Sequence, residues 1–420
     1  MDPHGPSCWL QIHKARPSSA RDRKHMNFRN HFKALAQHLA QRGPSGASVW
    51  WLRESLRGIY GRLRLRREPT TPRVCDVLLI HPSEKSRRQG RKTTLLAELR
   101  GAGLIVEETV ATDNKEALRQ RRLRPPLYSV PLPLYLSAAR AADLLANYKA
   151  KVILTERNGW PTSTFLRAFR DSDTRIIHLA HGVLSDQSSR LRYHDYDYYA
   201  VFGRSSLDYL RKGKPGFGDT LALLAGPYFP LPEKREVVPE SRCLLFVGAG
   251  PEEEKTAAYR HSCDLALSWL KKHPEWKLWV RPHPRGSGQP WCNIAKTHPS
   301  IRLRPKGESL DHALSDVVAV WSGYTTAIID CAIAGVPVLV LGRYADYFQC
   351  DLYGIPRLSS AEDLDIAMAR VLTEPSLWQE SLGIFARYHV ENLEQPVSSL
   401  ATVIIELARG GTPRNSIPIP

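Results

Sequence analysis

Short apolar runs alternate with helical stretches twice along this chain, and a proline-rich segment divides the two series. The first series holds Val74–Ile80, Leu104–Val106, Val152–Leu154, Ile176–Leu179 and Tyr198–Phe202, with a helix expected at Lys92–Arg100. The second holds Leu244–Val247, Leu278–Arg281, Val317–Trp321 and Val338–Leu341, with helices expected at Glu253–Lys272 and Thr325–Ala334. Strands separated by helices are joined by crossovers, and crossovers make parallel sheets with helices on both faces. Between the series, residues 227–241 contain four prolines in a charged run and read as a linker. The pattern predicts an α/β protein with two Rossmann-like domains, 71–228 and 242–390, facing a cleft. Residues 229–241 form the expected linker, 391–420 a C-terminal helix and tail, and 1–70 an N-terminal arm.

Charge sets the arm apart. The chain has 59 Lys+Arg against 42 Asp+Glu, a net of +17, and residues 1–73 alone contribute +11. A basic segment attracts polyanions such as nucleic acid, anionic lipid or an acidic glycan, and is otherwise a solubilising tail. Residues 1–46 are polar and read as loosely structured. Residues 49–65 differ. Leu52, Leu56, Ile59 and Leu63 recur at helical spacing behind Trp50 and Trp51, with Arg53, Arg57, Arg62 and Arg64 beside them. Such a helix suits an anionic membrane surface, or else packs its stripe on the domain behind it. Gly58 and Gly61 weaken it as an isolated helix. The arm has no recognised nucleic-acid module, which disfavours nucleic acid as the partner.

The seven cysteines are scattered, with no Cys-x-x-Cys pair and no zinc spacing. They read as reduced thiols, mostly buried, in a cytoplasmic protein. The first 30 residues lack the apolar core of a secretion signal. The most apolar stretch, Ile328 to Leu341, is broken by Asp330, Gly335 and Pro337. A span of the bilayer is therefore not expected.

Ligands of parallel α/β sheets bind at the carboxyl ends of strands, so the loops there are the candidates. One reads Arg281-Pro282-His283-Pro284-Arg285, where two prolines stiffen the turn around an imidazole flanked by two guanidiniums, a phosphate-binding composition. A second reads Ser322-Gly323-Tyr324-Thr325-Thr326 and opens a helix, offering backbone N–H groups and hydroxyls to an anion, or simply an N-cap. A third is His181-Gly182, beyond the strand 176–179. His181, or Glu156 at the end of the preceding strand, could serve as general base towards an acceptor hydroxyl; either could equally be polar surface. Asp195-Tyr196-Asp197 has the letters of a metal-binding Asp-x-Asp but precedes its strand. No metal or cofactor is expected.

Residues from about 150 to 350 resemble bacterial cell-surface glycan transferases of the GT-B type: the capsule Kdo transferases, the polysialyltransferases and the CDP-glycerol glycerophosphotransferases. His283-Pro284 stands where these families have a His-Pro motif, and Thr325-Thr326 where they have a hydroxyl pair, with Pro337 leading the next strand at the matching distance. His181-Gly182 matches the His-Gly of the CDP-glycerol enzymes, and Ser322-Gly323-Tyr324 their Thr-Asp-Tyr, with Gly323 in place of the acidic residue. The acidic run Glu252-Glu253-Glu254 lacks the glycine of the polysialyltransferase motif.

The resemblance implies a metal-independent glycosyltransferase of capsule or lipopolysaccharide synthesis, cytoplasmic and peripheral on the inner face of the membrane. It implies that 71–228 receives a glycan or glycolipid acceptor. It assigns 242–390 to a cytidine nucleotide-sugar such as CMP-Kdo or CMP-sialic acid. His283, Thr325 and Thr326 would hold the donor phosphate, with Arg281, Pro284, Ser322 and Gly323 completing the site. A CDP-glycerol or CDP-ribitol transferase, or a non-enzymatic polyanion-binding protein, is the alternative.

Overall fold

The computed structural model describes residues 47–66, 68–157, 161–185, 195–212, 220–236 and 239–419. The expected loose segment 1–46 lies outside them. The chain divides into two packed units. One comprises Met1–Thr71, Asp113–Asn147 and Trp160–Arg170; the other comprises Pro72–Thr112, Tyr148–Gly159 and Asp171–Pro420.

The smaller unit is helical. Its helices are Ala47–Leu63, Asn114–Arg119, Leu132–Asn147 and Pro161–Phe169. The helix Ala47–Leu63 lies on Leu132–Asn147 at Gly58 and Gly61, and Trp50 and Glu54 on the same side of it are buried. A Cβ at Gly58 would strike the Leu132 carbonyl, and one at Gly61 the Leu136 side chain. The two glycines that weaken the isolated helix are thus the positions at which its neighbour approaches. The apolar stripe Leu52, Leu56, Ile59 and Leu63 points the other way and is exposed.

The larger unit holds both sheets. Its strands are β1 (Arg73–His81), β2 (Val106–Val110), β3 (Tyr148–Thr155), β4 (Arg175–Leu179), β5 (Tyr198–Val201), β6 (Leu221–Leu224), β7 (Cys243–Val247), β8 (Lys277–Arg281), β9 (Ile301–Leu303), β10 (Ala319–Ser322), β11 (Val338–Leu341), β12 (Arg357–Leu358) and β13 (Ser416–Pro418). The first sheet runs β13-β6-β5-β4-β3-β1-β2 and the second β12-β11-β10-β7-β8-β9. All pairings are parallel except β13 with β6. The inner strands β5, β10 and β11 are buried along their whole length and almost wholly apolar, as expected of strands covered on both faces. The second strand begins at Val106, two residues later than the apolar run suggests. The helix expected at Glu253–Lys272 starts at Ala257, where the Thr256 hydroxyl accepts from the Tyr259 N–H.

The C-terminal segment returns to the first sheet. Val397, Leu400, Ile404 and Leu407 of the helix Pro396–Ala408 pack with Val77, Leu79 and Leu154, and β13 then closes that sheet's edge. One apolar cluster joins the two sheets, bringing Tyr199, Val201 and Leu207 together with Val320, Ile329 and Phe385. The backbone approaches closely at Gly203 in this junction: a Cβ there would stand 2.5 Å from the His389 carbonyl oxygen.

His389 sits in the same junction. Its Nε2–H donates to the Phe348 carbonyl at 2.9 Å, and its Nδ1 accepts from the Ser205 hydroxyl at 2.8 Å. Burial pushes its pKa down to about 4 from an ordinary 6.5. Neutral His389 therefore stabilises the fold fully above pH 6.5, and that contribution is lost as the pH falls from 6.5 towards 4. At 1.36 kcal/mol per unit the loss is about 3 kcal/mol. Urea midpoints should fall between about pH 7 and about pH 4.5. A His389→Gln variant, weaker at neutral pH, should lack this part of the fall. An unchanged pH profile in that variant would show that other groups control acid stability.

Candidate functional site

In the second sheet the site begins where β8 ends. Gly248 N–H donates to the Arg281 carbonyl at 2.9 Å, and a Cβ on Gly248 would lie 3.1 Å from the His283 nitrogen. The loops after β7 and β8 therefore meet backbone to backbone. The His283 Nδ1 accepts the backbone N–H of Arg285 at 3.1 Å. That bond leaves the neutral ring's proton on Nε2, a ready donor. Desolvation lowers the His283 pKa, Arg285 and Arg281 lower it further, and Glu254 opposes them. Arg281 is half-buried, with Nη2 donating to the Glu308 carbonyl at 3.1 Å.

Glu254 anchors this loop. Its carboxylate accepts from Ser287 N–H and Ser287 Oγ–H, both at 2.8 Å, and from Gly288 N–H at 3.1 Å. The acidic run 252–254, which departs from the polysialyltransferase motif, thus has one member that supports the His283-Pro284 turn.

The loop after β10 mixes open and structural residues. The Ser322 hydroxyl is fully buried and donates to the Val247 carbonyl at 3.2 Å, so it ties β10 to β7 instead of facing a ligand. A Cβ at Gly323 would lie 2.7 Å from the Tyr344 hydroxyl, so glycine here serves packing. Thr325 Oγ1 accepts from Ala327 N–H at 3.4 Å, and Thr326, exposed, makes no side-chain cap bond. The helix that follows, Ala327–Ile333, is only seven residues long, so its dipole adds little and the threonine hydroxyls are the stronger donors. Asp330, one turn on, has its carboxyl pushed up to about 6 by burial, against the pull of Arg91 and Arg281.

In the first sheet, Glu156 follows β3 and is nearly buried. Its carboxylate pairs with Lys92 Nζ at 2.6 Å, also buried, and lies 3.5 Å from the Ser86 hydroxyl. Tyr228 hydrogen-bonds to the same carboxylate; burial first, then Glu156, raises its phenol pKa. The Arg91 guanidinium stacks on the Phe229 ring, 4.0 Å from its centre. His181, two residues beyond β4, keeps solvent access. Desolvation by the surrounding protein lowers its pKa, Glu156 raises it, and Arg91 and Arg285 lower it again.

Arg285 belongs to the second sheet and acts on His181 of the first; Arg91 belongs to the first and acts on Asp330 of the second. The Ser185 hydroxyl, beyond β4, lies 2.8 Å from the Tyr324 hydroxyl, beyond β10, so the carboxyl edges of both sheets meet. Sequence reasoning passed over Arg91, Lys92, Tyr228, Glu254 and Asp330. Asp330 did leave a signal, as a carboxylate interrupting an apolar helix.

The fold is that of the GT-B proteins, with two Rossmann-like sheets and a C-terminal helix returning to the first. A UDP-GlcNAc 2-epimerase from Neisseria meningitidis bound to UDP-GlcNAc superposes with a TM-score of 0.53 at 13% identity, over 80% of this chain and 100% of that one. A glycosyltransferase of kitacinnamycin gives 0.50 at 14% identity, over 80% and 100% of the two chains. A further UDP-N-acetylglucosamine 2-epimerase gives 0.50 at 13% identity, over 80% and 95%. No protein-family model and no curated protein sequence matches the chain.

The shared field is measurable. In imidazole NMR titrations both His181 and His283 should titrate below 6.5. Arg285→Gln should raise both, because it removes a positive neighbour of each. A change confined to His283 would show that Arg285 does not reach the first sheet's edge.

Proposed function

We propose that the chain is a glycosyltransferase that moves a sugar from a cytidine nucleotide to a glycan or glycolipid acceptor in bacterial surface polysaccharide synthesis. The observation that carries this reading is the meeting of the two sheet edges, where the Ser185 hydroxyl after β4 lies 2.8 Å from the Tyr324 hydroxyl after β10, with the His283 and threonine loops on one side and His181 on the other. The cytidine base and an acidic sugar such as Kdo or sialic acid rest on the motif resemblance of His283-Pro284 and Thr325-Thr326.

In this reading the His283 Nε2–H, the Thr325 and Thr326 hydroxyls and the guanidiniums of Arg281 and Arg285 receive the donor phosphate. They are in place before charge develops, so the leaving phosphate is stabilised without reorganisation. His181 is the base. Its lowered pKa leaves the ring lone pair free at neutral pH. It takes the proton of the acceptor hydroxyl as that oxygen bonds to the anomeric carbon. The bond from that carbon to the phosphate oxygen breaks, and the electron pair leaves with CMP. Glu156, already committed to Lys92, Ser86 and Tyr228, is a positioning group that fixes the loop after β3.

A thermal-shift series with CMP, CDP, UDP and GDP tests the donor. The right nucleotide at 100 times its Kd should stabilise by about 2.7 kcal/mol. UDP in place of CMP would assign a uridine donor, and no shift with any of them would favour the polyanion-binding alternative. Product analysis separates a transferred sugar from a polyol phosphate, and an epimerised nucleotide-sugar without transfer would overturn the transferase reading. Within the site, His283→Ala should weaken nucleotide binding about 10- to 100-fold, the loss of a charge-assisted hydrogen bond. His181→Ala should keep nucleotide affinity and lower turnover about 10²–10⁴-fold. Turnover of the wild type should fall on the acid side, as His181 protonates. Activity that survives His181→Ala would remove His181 as the base, and loss of turnover in a Glu156→Gln variant that keeps nucleotide affinity and its thermal melt would then transfer the base to Glu156.

A further inference from the structure

The helix Ala47–Leu63 has two faces of opposite character. Gly58 and Gly61 meet the helix Leu132–Asn147, and Trp50 and Glu54 on the same side are buried. Opposite them Val49, Leu52, Leu56, Ile59 and Leu63 form one stripe at spacings of three and four residues, from 48% exposed at Ile59 to 79% at Leu63. Tyr60, also exposed, widens it. Single exposed leucines are ordinary, but a contiguous stripe of this kind marks a contact surface.

Charge identifies the contact. Residues 47–66 contain five arginines and one acidic residue, Glu54. Glu54 is buried and already holds Arg57 at 2.7 Å, Arg53 at 3.4 Å and Asn114 Nδ2 at 3.0 Å. On a helical projection Arg53, Arg57 and Arg64 border one edge of the stripe and Arg62 the other. Glu54 answers Arg53 and Arg57 from the buried side, and with five arginines against this one carboxylate the segment keeps a net charge of +4 and no exposed carboxylate. A second copy of this helix would suit the apolar spacing but would set arginine against arginine.

We propose that this face docks on an anionic lipid surface, leucine and isoleucine entering the acyl boundary while the arginines meet headgroup phosphates. The helix lies in the interface plane, as amphipathic helices with such rims do. No described helix is long and apolar enough to cross a membrane. The inference stands apart from the donor and the chemistry proposed above.

The test is co-sedimentation of the full chain with vesicles of phosphatidylcholine alone, or of phosphatidylcholine and phosphatidylglycerol in equal parts. The chain should sediment with the anionic vesicles only, and added salt should release it. Replacing Leu52, Leu56 and Ile59 together by serine should weaken binding roughly 100-fold while leaving the thermal melt unchanged, since all three are exposed. Replacing Arg53 and Arg62 by glutamine should cost about fivefold each, equivalent to about 1 kcal/mol. Failure of the wild type to sediment with anionic vesicles overturns the proposal. So does a triple-serine variant that sediments like wild type, which would assign the binding to the basic residues before 47. A variant that passes from dimer to monomer in light scattering, with no vesicle binding by either form, would make the face a contact between copies.

Discussion

Parallel strands cannot be joined by a tight turn; each needs a crossover that carries the chain back to the edge where it started. All carboxyl ends of a sheet then open on one side, and most of the polar chemistry of this chain is found there. His283 follows β8, the threonine pair follows β10, Glu156 follows β3 and His181 follows β4. These loops are held by their neighbours: Gly248 lies against the His283 turn, Ser322 is bonded to Val247, and Glu254 collects three donors from 287–288. A phosphate site built on such loops is rigid before a ligand arrives, which is the condition for stabilising a charge that appears only during reaction.

Positive charge dominates the shared edge, and it acts on the histidines as well as on any anion. Arginines near His181 and His283 favour the neutral rings, and desolvation does the same. The two neutral imidazoles can then do different work. His283, with Nδ1 occupied by a backbone N–H, is left with a proton to donate; His181 retains a lone pair to accept one. The buried Lys92–Glu156 pair is neutral as a unit, and Ser86 and Tyr228 give the carboxylate further partners. Removing one member would leave a buried charge uncompensated, a costlier change than removing both.

The smaller unit follows a different logic. Its first helix combines two glycines that let a neighbour approach closely with a leucine stripe on the opposite side. Burying Trp50 and Glu54 holds the helix in place without consuming the stripe. Folding therefore leaves an apolar face in water, at the part of the chain with the highest density of arginine. The docking on anionic lipid proposed above would answer both features together.

The alternation of apolar runs and helical stretches was enough to read two parallel α/β halves, because buried parallel strands are apolar throughout and leave no ambiguity of face. Val338–Leu341 and Leu278–Arg281 were found nearly to the residue. The short edge strands β9, β12 and β13 left no such pattern, since their pairing depends on neighbours distant in sequence, whereas the apolar run of β6, Leu221–Leu224, was present but is only four residues long. The His-Pro turn and the threonine pair were legible as motifs, but the role of each hydroxyl was not: Ser322 and Thr326 look alike in sequence, yet one is bonded inside the sheet and the other is exposed. The stripe on residues 49–63 was legible as well, though not which face would be covered, because that depended on where two glycines met another helix. Sequence alone thus determined the elements, through local periodicity and composition. Tertiary structure alone decided which polar groups were consumed and which were left open, because hydrogen bonds such as Glu254 to Ser287 and ion pairs such as Lys92 to Glu156 join residues that only the folded chain brings within reach.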